Sequence, residues 1–351
     1  MKMRSVLPHA GTRSVTRGAS CLTVVRTLPP ANAFRPAYCC ADKTARWTTD
    51  DVDLGFLQNL SAPSTSPDFE TLIRYVGSPH QHAWTNGALQ NCNPLDNQHG
   101  NGREYGRHAA DVGLALNTDA LTGQEKWDLS LHAIQQGIDI YGRLLEGATW
   151  SDDGQLNIGR YFYLLFAGLA LQDSDILAWA DVSDTSLWRR SHRLRDSALG
   201  PLFQEHRQTF YVSEADLDPD QRETPYPSYM LGHPEWGVFP TGQPWANRYT
   251  QHASYRNNNI PHQVGFAVIA HIMPGFYEHM DSVAAATHAK GPGVAALDYV
   301  DFRRDWWHAN AGTGTNSAPL YHRDMYDLYR NLGLRPNYGT AADHGVDSWS
   351  Y

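Results

Sequence analysis

The chain has 351 residues, 28 Lys+Arg against 37 Asp+Glu and a formal charge of −9. That length suits one large domain or two small ones, and a 41% apolar content supports a core, which excludes wholesale disorder. The acidic balance argues against a nucleic-acid partner. No stretch approaches the roughly 18 apolar residues a membrane span needs, so no membrane partner is expected either.

Charge is unevenly spread. Residues 1–41 carry Lys2, Arg4, Arg13, Arg17, Arg26 and Arg35 and no acid, leaving 22 basic against 37 acidic residues, −15, in the remainder. An Arg- and Ser/Thr-rich, acid-free start reads as a targeting or disordered leader. Ala31-Asn32-Ala33 has the form of an export cleavage site. The apolar stretch Cys21–Val25 is short for secretion, so organelle targeting stands as the alternative to an extracellular or periplasmic address. Of four cysteines, Cys21, Cys39 and Cys40 lie in this leader, and Cys92 alone remains beyond it, in the Asn-rich loop NCNPLDNQHGNG. That excludes a disulfide framework and a CxxC metal site.

From residue 42 to 100, Pro, Ser, Asn and Gly punctuate a wrapping segment, with one helix predicted over residues 68–76. Residues 101–351 form the main domain. Helices are predicted over 104–116, 125–145, 160–172, 260–272, 294–307 and 321–331, separated mostly by Gly- or Asp-bearing turns. Trp127, Leu131, Ile134, Ile138, Tyr141 and Leu145 recur at helical spacing and mark one buried stripe on an outer, amphipathic helix. Residues 109–117 and 161–171 are apolar or small nearly all round, as in helices covered on several sides. Such alternation predicts an all-α fold of two helical layers. Residues 208–213 are β-prone, and residues 219–245, with six prolines, read as a long irregular loop.

Three polar clusters precede the apolar helices: residues 100–108 with Arg103, Tyr105 and Arg107; residues 152–162 with Asn157 and Arg160; and residues 231–263. Donors gathered ahead of buried helices can converge on one ligand. Arg103 and Arg107, one turn apart, can equally pair with Asp96 or Glu104. In the third cluster Arg248 precedes Tyr255 by two helical turns, with Arg256, Asn257, Asn258 and Asn259 following. A nearby guanidinium favours a phenolate and so makes Tyr255 a candidate base; packing against a neighbouring helix is the plain alternative. No HExxH, GxSxG or phosphate-binding Gly loop occurs, so neither metal nor cofactor is expected.

The runs EYGRHAADVGLALNTD, GIDIYGRLLEGATW and GRYFYLLFAGLALQD, with YRNNNIPHQVGFAVIAHIM and MYDLYR after them, resemble bacterial α/α-toroid proteins related to polysaccharide lyases, over residues 100–331. The resemblance implies an incomplete barrel of helix hairpins with a little β structure and long loops. It implies β-elimination on a uronic-acid-containing glycan, with Tyr255 as base, Arg248 beside it and Asn157 holding the carboxylate. The relatives carry a His at that helix start, whereas this chain has Gln155, Leu156, Ile158 and Gly159; Arg160 and His233 are the candidates to replace it. Arg103, Tyr105, Arg107, Arg256, Asn258 and Trp236 would bind substrate. Two other readings remain: a glycoside hydrolase on the same barrel using carboxylates such as Asp153 and Glu235, and a non-catalytic glycan binder stacking sugars on Trp150, Trp236 and Trp245.

Overall fold

The computed structural model describes residues 3–6, 19–38, 40–77, 104–150, 157–181, 184–187, 189–190, 199–200, 202–206, 209–220, 225–236, 260–281, 292–310 and 317–346. Among these residues helices dominate: α1 Phe69–Val76, α2 Glu104–Leu116, α3 Gly123–Leu145, α4 Arg160–Ala170, α5 Ser174–Ala180, α6 Glu214–Leu217, α7 Val264–Ile272, α8 Phe276–Met280, α9 Pro292–Phe302, α10 Arg304–Ala309 and α11 Leu320–Tyr329. Six short strands, β1 Met3–Val6, β2 Ala19–Leu22, β3 Arg189–Arg190, β4 Leu199–Gly200, β5 Thr209–Tyr211 and β6 Pro234–Trp236, form three antiparallel pairs in sequence order. The mainly helical expectation holds.

Local chemistry sets the helix starts. Asp68 caps α1 by accepting the Thr71 N–H, and Thr122 with Glu125 forms a reciprocal capping box on α3. The helix expected over 294–307 breaks at Arg303, where φ and ψ of −93° and 12° leave the helical region, and yields α9 and α10. The loop expected over 219–245 contains β6, whose Glu235 pairs with Phe210 of β5. A three-residue strand carries too little alternation to be read locally.

Helix α3 departs from the outer-layer expectation. Its first half is half-exposed, but from Ala133 to Leu144 it is buried on nearly every face. On one side α4 comes so close that a Cβ at Gly137 would lie 2.2 Å from the Tyr163 carbonyl oxygen. On another, residues 34–38 and 40–47 lie across it. Arg35 forms a two-pronged ion pair with buried Asp139, whose carboxylate also accepts the Tyr38 N–H, and Gln135 exchanges hydrogen bonds with the Arg35 backbone. Trp47 Nε1 donates to Asp173 ahead of α5. The boundary expected at residue 41 falls inside this packed segment, in which Ala33 also bridges to Thr48.

Helices α2, α4, α7 and α11 run in the same general sense. Gly106 near the start of α2 lies against Ile158 and Gly159 at the start of α4. At the far end the Ala170 carbonyl accepts from Asp53 and the Asn117 carbonyl from Leu60, so one segment holds both C-termini. Gly265 faces Ala110 and Gly113 faces Ile269, which aligns α7 with α2. Arg107 donates to the Ser317 carbonyl and His322 contacts Asp111, which aligns α11. Four N-termini thus share one end of the molecule, and each carries the partial positive charge of unpaired backbone N–H groups.

Candidate functional site

At that end the start of α4 is built from three segments. Gly159 has a φ of 97°, and a Cβ there would sit 3.0 Å from Gly106 Cα, so both its conformation and its neighbour demand glycine. It brings no side-chain cap. Instead Glu205 Oε1 accepts the Gly159 N–H at 2.5 Å, and Gln204 Oε1 accepts the Asn157 N–H at 2.7 Å. Arg160 lies buried with its guanidinium carbon 4.4 Å from the centroid of the Tyr105 ring, a cation–π contact strengthened by exclusion of water. The Tyr105 hydroxyl donates to Gln136 Oε1 at 3.0 Å. Tyr161 places its ring edge-on to His206, with centroids 4.3 Å apart.

Burial dominates the electrostatics. It raises the Glu205 carboxyl to about 7, opposed by the Gly159 N–H and Arg160. It lowers His206 to about 3 and pushes the Tyr105 phenol up against the opposing charge of Arg160. Near neutral pH this site therefore holds a carboxyl whose charged form is disfavoured, a neutral imidazole and an un-ionised phenol. Glu205 Oε2, His206 Nε2 and the Tyr161 hydroxyl are buried without hydrogen-bond partners among the described residues.

The structure brings Tyr105, Asn157 and Arg160 together, with Glu205 and His206 as members the sequence reading missed. Their only local signal was an acid and an imidazole inside PLFQEHRQTF, a stretch with no helical period. Arg107 donates to the Ser317 carbonyl ahead of α11, while Asp96 and the Glu104 side chain lie outside what the structure describes. His233 sits elsewhere: its ring stacks on Phe302 with centroids 5.0 Å apart, Nδ1 meets the Tyr338 hydroxyl at 2.9 Å, and burial lowers its pKa. Packing between those rings commits it to a second cluster, so it is not a substitute at the start of α4. Trp236 and Trp150 are fully buried, leaving no ring face for a sugar, and the Glu235 Oε1 accepts the Trp236 N–H. Arg103, Arg248, Tyr255, Arg256, Asn258, Asp153, Trp245 and Cys92 lie outside the described residues.

Among the described residues no group of three His, Cys, Asp or Glu side chains stands where it could hold a metal ion, and no helix is long and apolar enough to cross a membrane. No family model, curated protein or solved structure matches the chain.

Proposed function

We propose that the protein is a polysaccharide lyase that cleaves a uronic-acid-containing glycan by β-elimination, on an incomplete α/α toroid whose inner helices open at the α4 end, and that it works outside the cytoplasm. The observation that carries this reading is the buried Arg160 at an end where four helix N-termini meet. Guanidinium and helix dipoles together favour an anion there, although the chain carries −9 overall. Glu205 opposes this preference less than an ordinary carboxylate would, because burial raises its pKa and disfavours its charged form.

β-Elimination removes the proton α to a carboxylate, stabilises the enolate-like dianion and protonates the leaving glycosidic oxygen. Arg160 and Asn157 are assigned to the carboxylate. Tyr105 is unsuited to be the base, since burial holds its phenol protonated; the resemblance assigns that role to Tyr255, seven residues after Arg248 in the sequence. A panel of alginate, glucuronan, ulvan and glycosaminoglycans, followed by the ultraviolet absorbance of the new double bond, tests the reaction. Tyr255→Phe should fold normally and lose about 10²–10⁴-fold in rate; retention of most of the rate rejects this mechanism.

The raised carboxyl of Glu205 also favours a second reading, a glycoside hydrolase with Glu205 as general acid in place of Glu235. New reducing ends without new absorbance would select it.

A further inference from the structure

Gln263 is the N-cap residue of α7. Its backbone is fully engaged: the N–H donates to the Ile260 carbonyl at 2.8 Å, and its own carbonyl accepts from Phe266 and Ala267 at 3.0 and 3.1 Å. Its side chain is the opposite. The residue is only 4% exposed, yet among the described residues neither Oε1 nor Nε2 has a hydrogen-bond partner, and the side chain makes no cap on α7. A buried carboxamide can take part in four hydrogen bonds, and leaving all of them unmade opposes folding.

Its position gives that amide a use. The turn Ile260–His262 packs against α2, and Gly265 faces Ala110, one turn along α2 from the Gly106 that touches the start of α4. Gln263 therefore sits at the same end as Arg160, on a separate helix. We infer that the Gln263 side chain is a ligand-contacting group that reads sugar hydroxyls at this end, its Nε2 donating to one hydroxyl oxygen and its Oε1 accepting from a neighbouring one. A carboxylate fits it poorly, because such a group can satisfy Nε2 but presents only lone pairs to Oε1. Charge recognition thus falls to Arg160 and hydroxyl recognition to Gln263. The inference rests on the glycan-binding reading of this end and adds to it the residue that senses ring stereochemistry.

The test uses the full chain, with glucuronan and alginate hexasaccharides as probes. Gln263→Leu removes both polar atoms at similar volume. It should melt at or above the wild-type temperature, since an unsatisfied buried group is gone, while Kd for the bound hexasaccharide rises about tenfold, the loss of roughly one to two hydrogen bonds. Gln263→Glu keeps the shape but turns the donor into a negative charge, and should weaken binding further. An unchanged Kd in Gln263→Leu would make the amide a structural group and overturn the inference, as would a melting temperature several degrees lower. Failure of the wild type to bind either hexasaccharide would instead remove the glycan reading, and this inference with it.

Discussion

Two buried carboxyl groups, Asp301 in α9 and Glu205 packed against the start of α4, are handled in opposite ways. Asp301 accepts from Arg335 with both oxygens at 2.7 Å, from the Tyr326 hydroxyl at 2.5 Å and from the Tyr338 N–H at 3.0 Å. Its neighbour Asp298 accepts from the Tyr211 hydroxyl at 2.7 Å and faces the other arm of Arg335 at 3.4 Å. Glu205 accepts the Gly159 N–H with one oxygen, and its other oxygen is buried without a partner among the described residues. Burial raises both carboxyls. A buried charge surrounded by donors specifies structure, here the docking of residues 331–346 onto α9. A buried acid left half-coordinated beside a cation is more costly to the fold and has its value in what it can exchange with a ligand or with solvent protons.

The largest effect that separates the two belongs to the saturated cluster. Arg335→Met deletes the cation shared by Asp298 and Asp301 and should lower stability by about 3–5 kcal/mol, because breaking a buried pair leaves charge uncompensated. Urea denaturation at pH 7 measures it. A loss below about 1 kcal/mol would show that the two aspartates take up protons at little cost, and the contrast with Glu205 would disappear.

The half-coordinated acid is exposed by pH. The folded-state carboxyl of Glu205 stands at about 7 against an ordinary 4.5, so between those values the native state holds a proton that the unfolded state has released. Stability therefore falls as pH rises through this window. His206, held at about 3 against an ordinary 6.5, works the other way: the unfolded state binds the extra proton and stability rises with pH between 3 and 6.5. His271, also lowered to about 3 by burial, acts in the same sense as His206. The opposing slopes mask one another in the wild type. Glu205→Gln removes one of them, and its stability relative to wild type should climb by about 3 kcal/mol from pH 4.5 to 7.5 and then level off. Denaturation curves that keep a constant difference across that range would return Glu205 to an ordinary carboxylate.

The contrast was only partly legible in the sequence. Helix α3 announces itself through a long helical period and Thr122 at its start, and α2 and α4 through runs that are apolar or small nearly all round. Helices α5, α6 and α8 have seven, four and five residues, too few to show a period. The stripe on α3 named one of its buried faces. It could not reveal that residues 34–38 and 40–47 cover another, because the pairing of Arg35 with Asp139 spans 104 positions. At the site, Arg160 and Asn157 were visible as polar residues ahead of an apolar helix. Glu205 reaches Gly159 across 46 positions, and nothing near Glu205 in sequence encodes that meeting. His233 misled for the converse reason: an imidazole in a Pro-rich loop looks available, while its stacking on Phe302 depends on a helix that begins far downstream.

The smallest effect concerns Tyr105, and it decides what that ring is for. Its hydroxyl donates to Gln136 Oε1, and Gln136 Nε2 donates in turn to the Val76 carbonyl at 2.8 Å, so this pair of bonds joins α2 and α3 to the end of α1. The ring, not the hydroxyl, meets Arg160. Tyr105→Phe should therefore lower stability by about 1 kcal/mol, leaving the Gln136 oxygen short of a donor, while the aromatic surface under the guanidinium stays in place. On any substrate found by the glycan panel, kcat/KM should remain within about twofold of wild type, since only a lost transition-state contact would lower it further. Tyr105→Leu removes the ring as well and should weaken substrate binding through Arg160. If Tyr105→Phe instead leaves stability untouched and reduces kcat/KM tenfold or more, the hydroxyl faces substrate, and Tyr105 passes from the saturated kind of buried group to the exchanging kind that Glu205 represents.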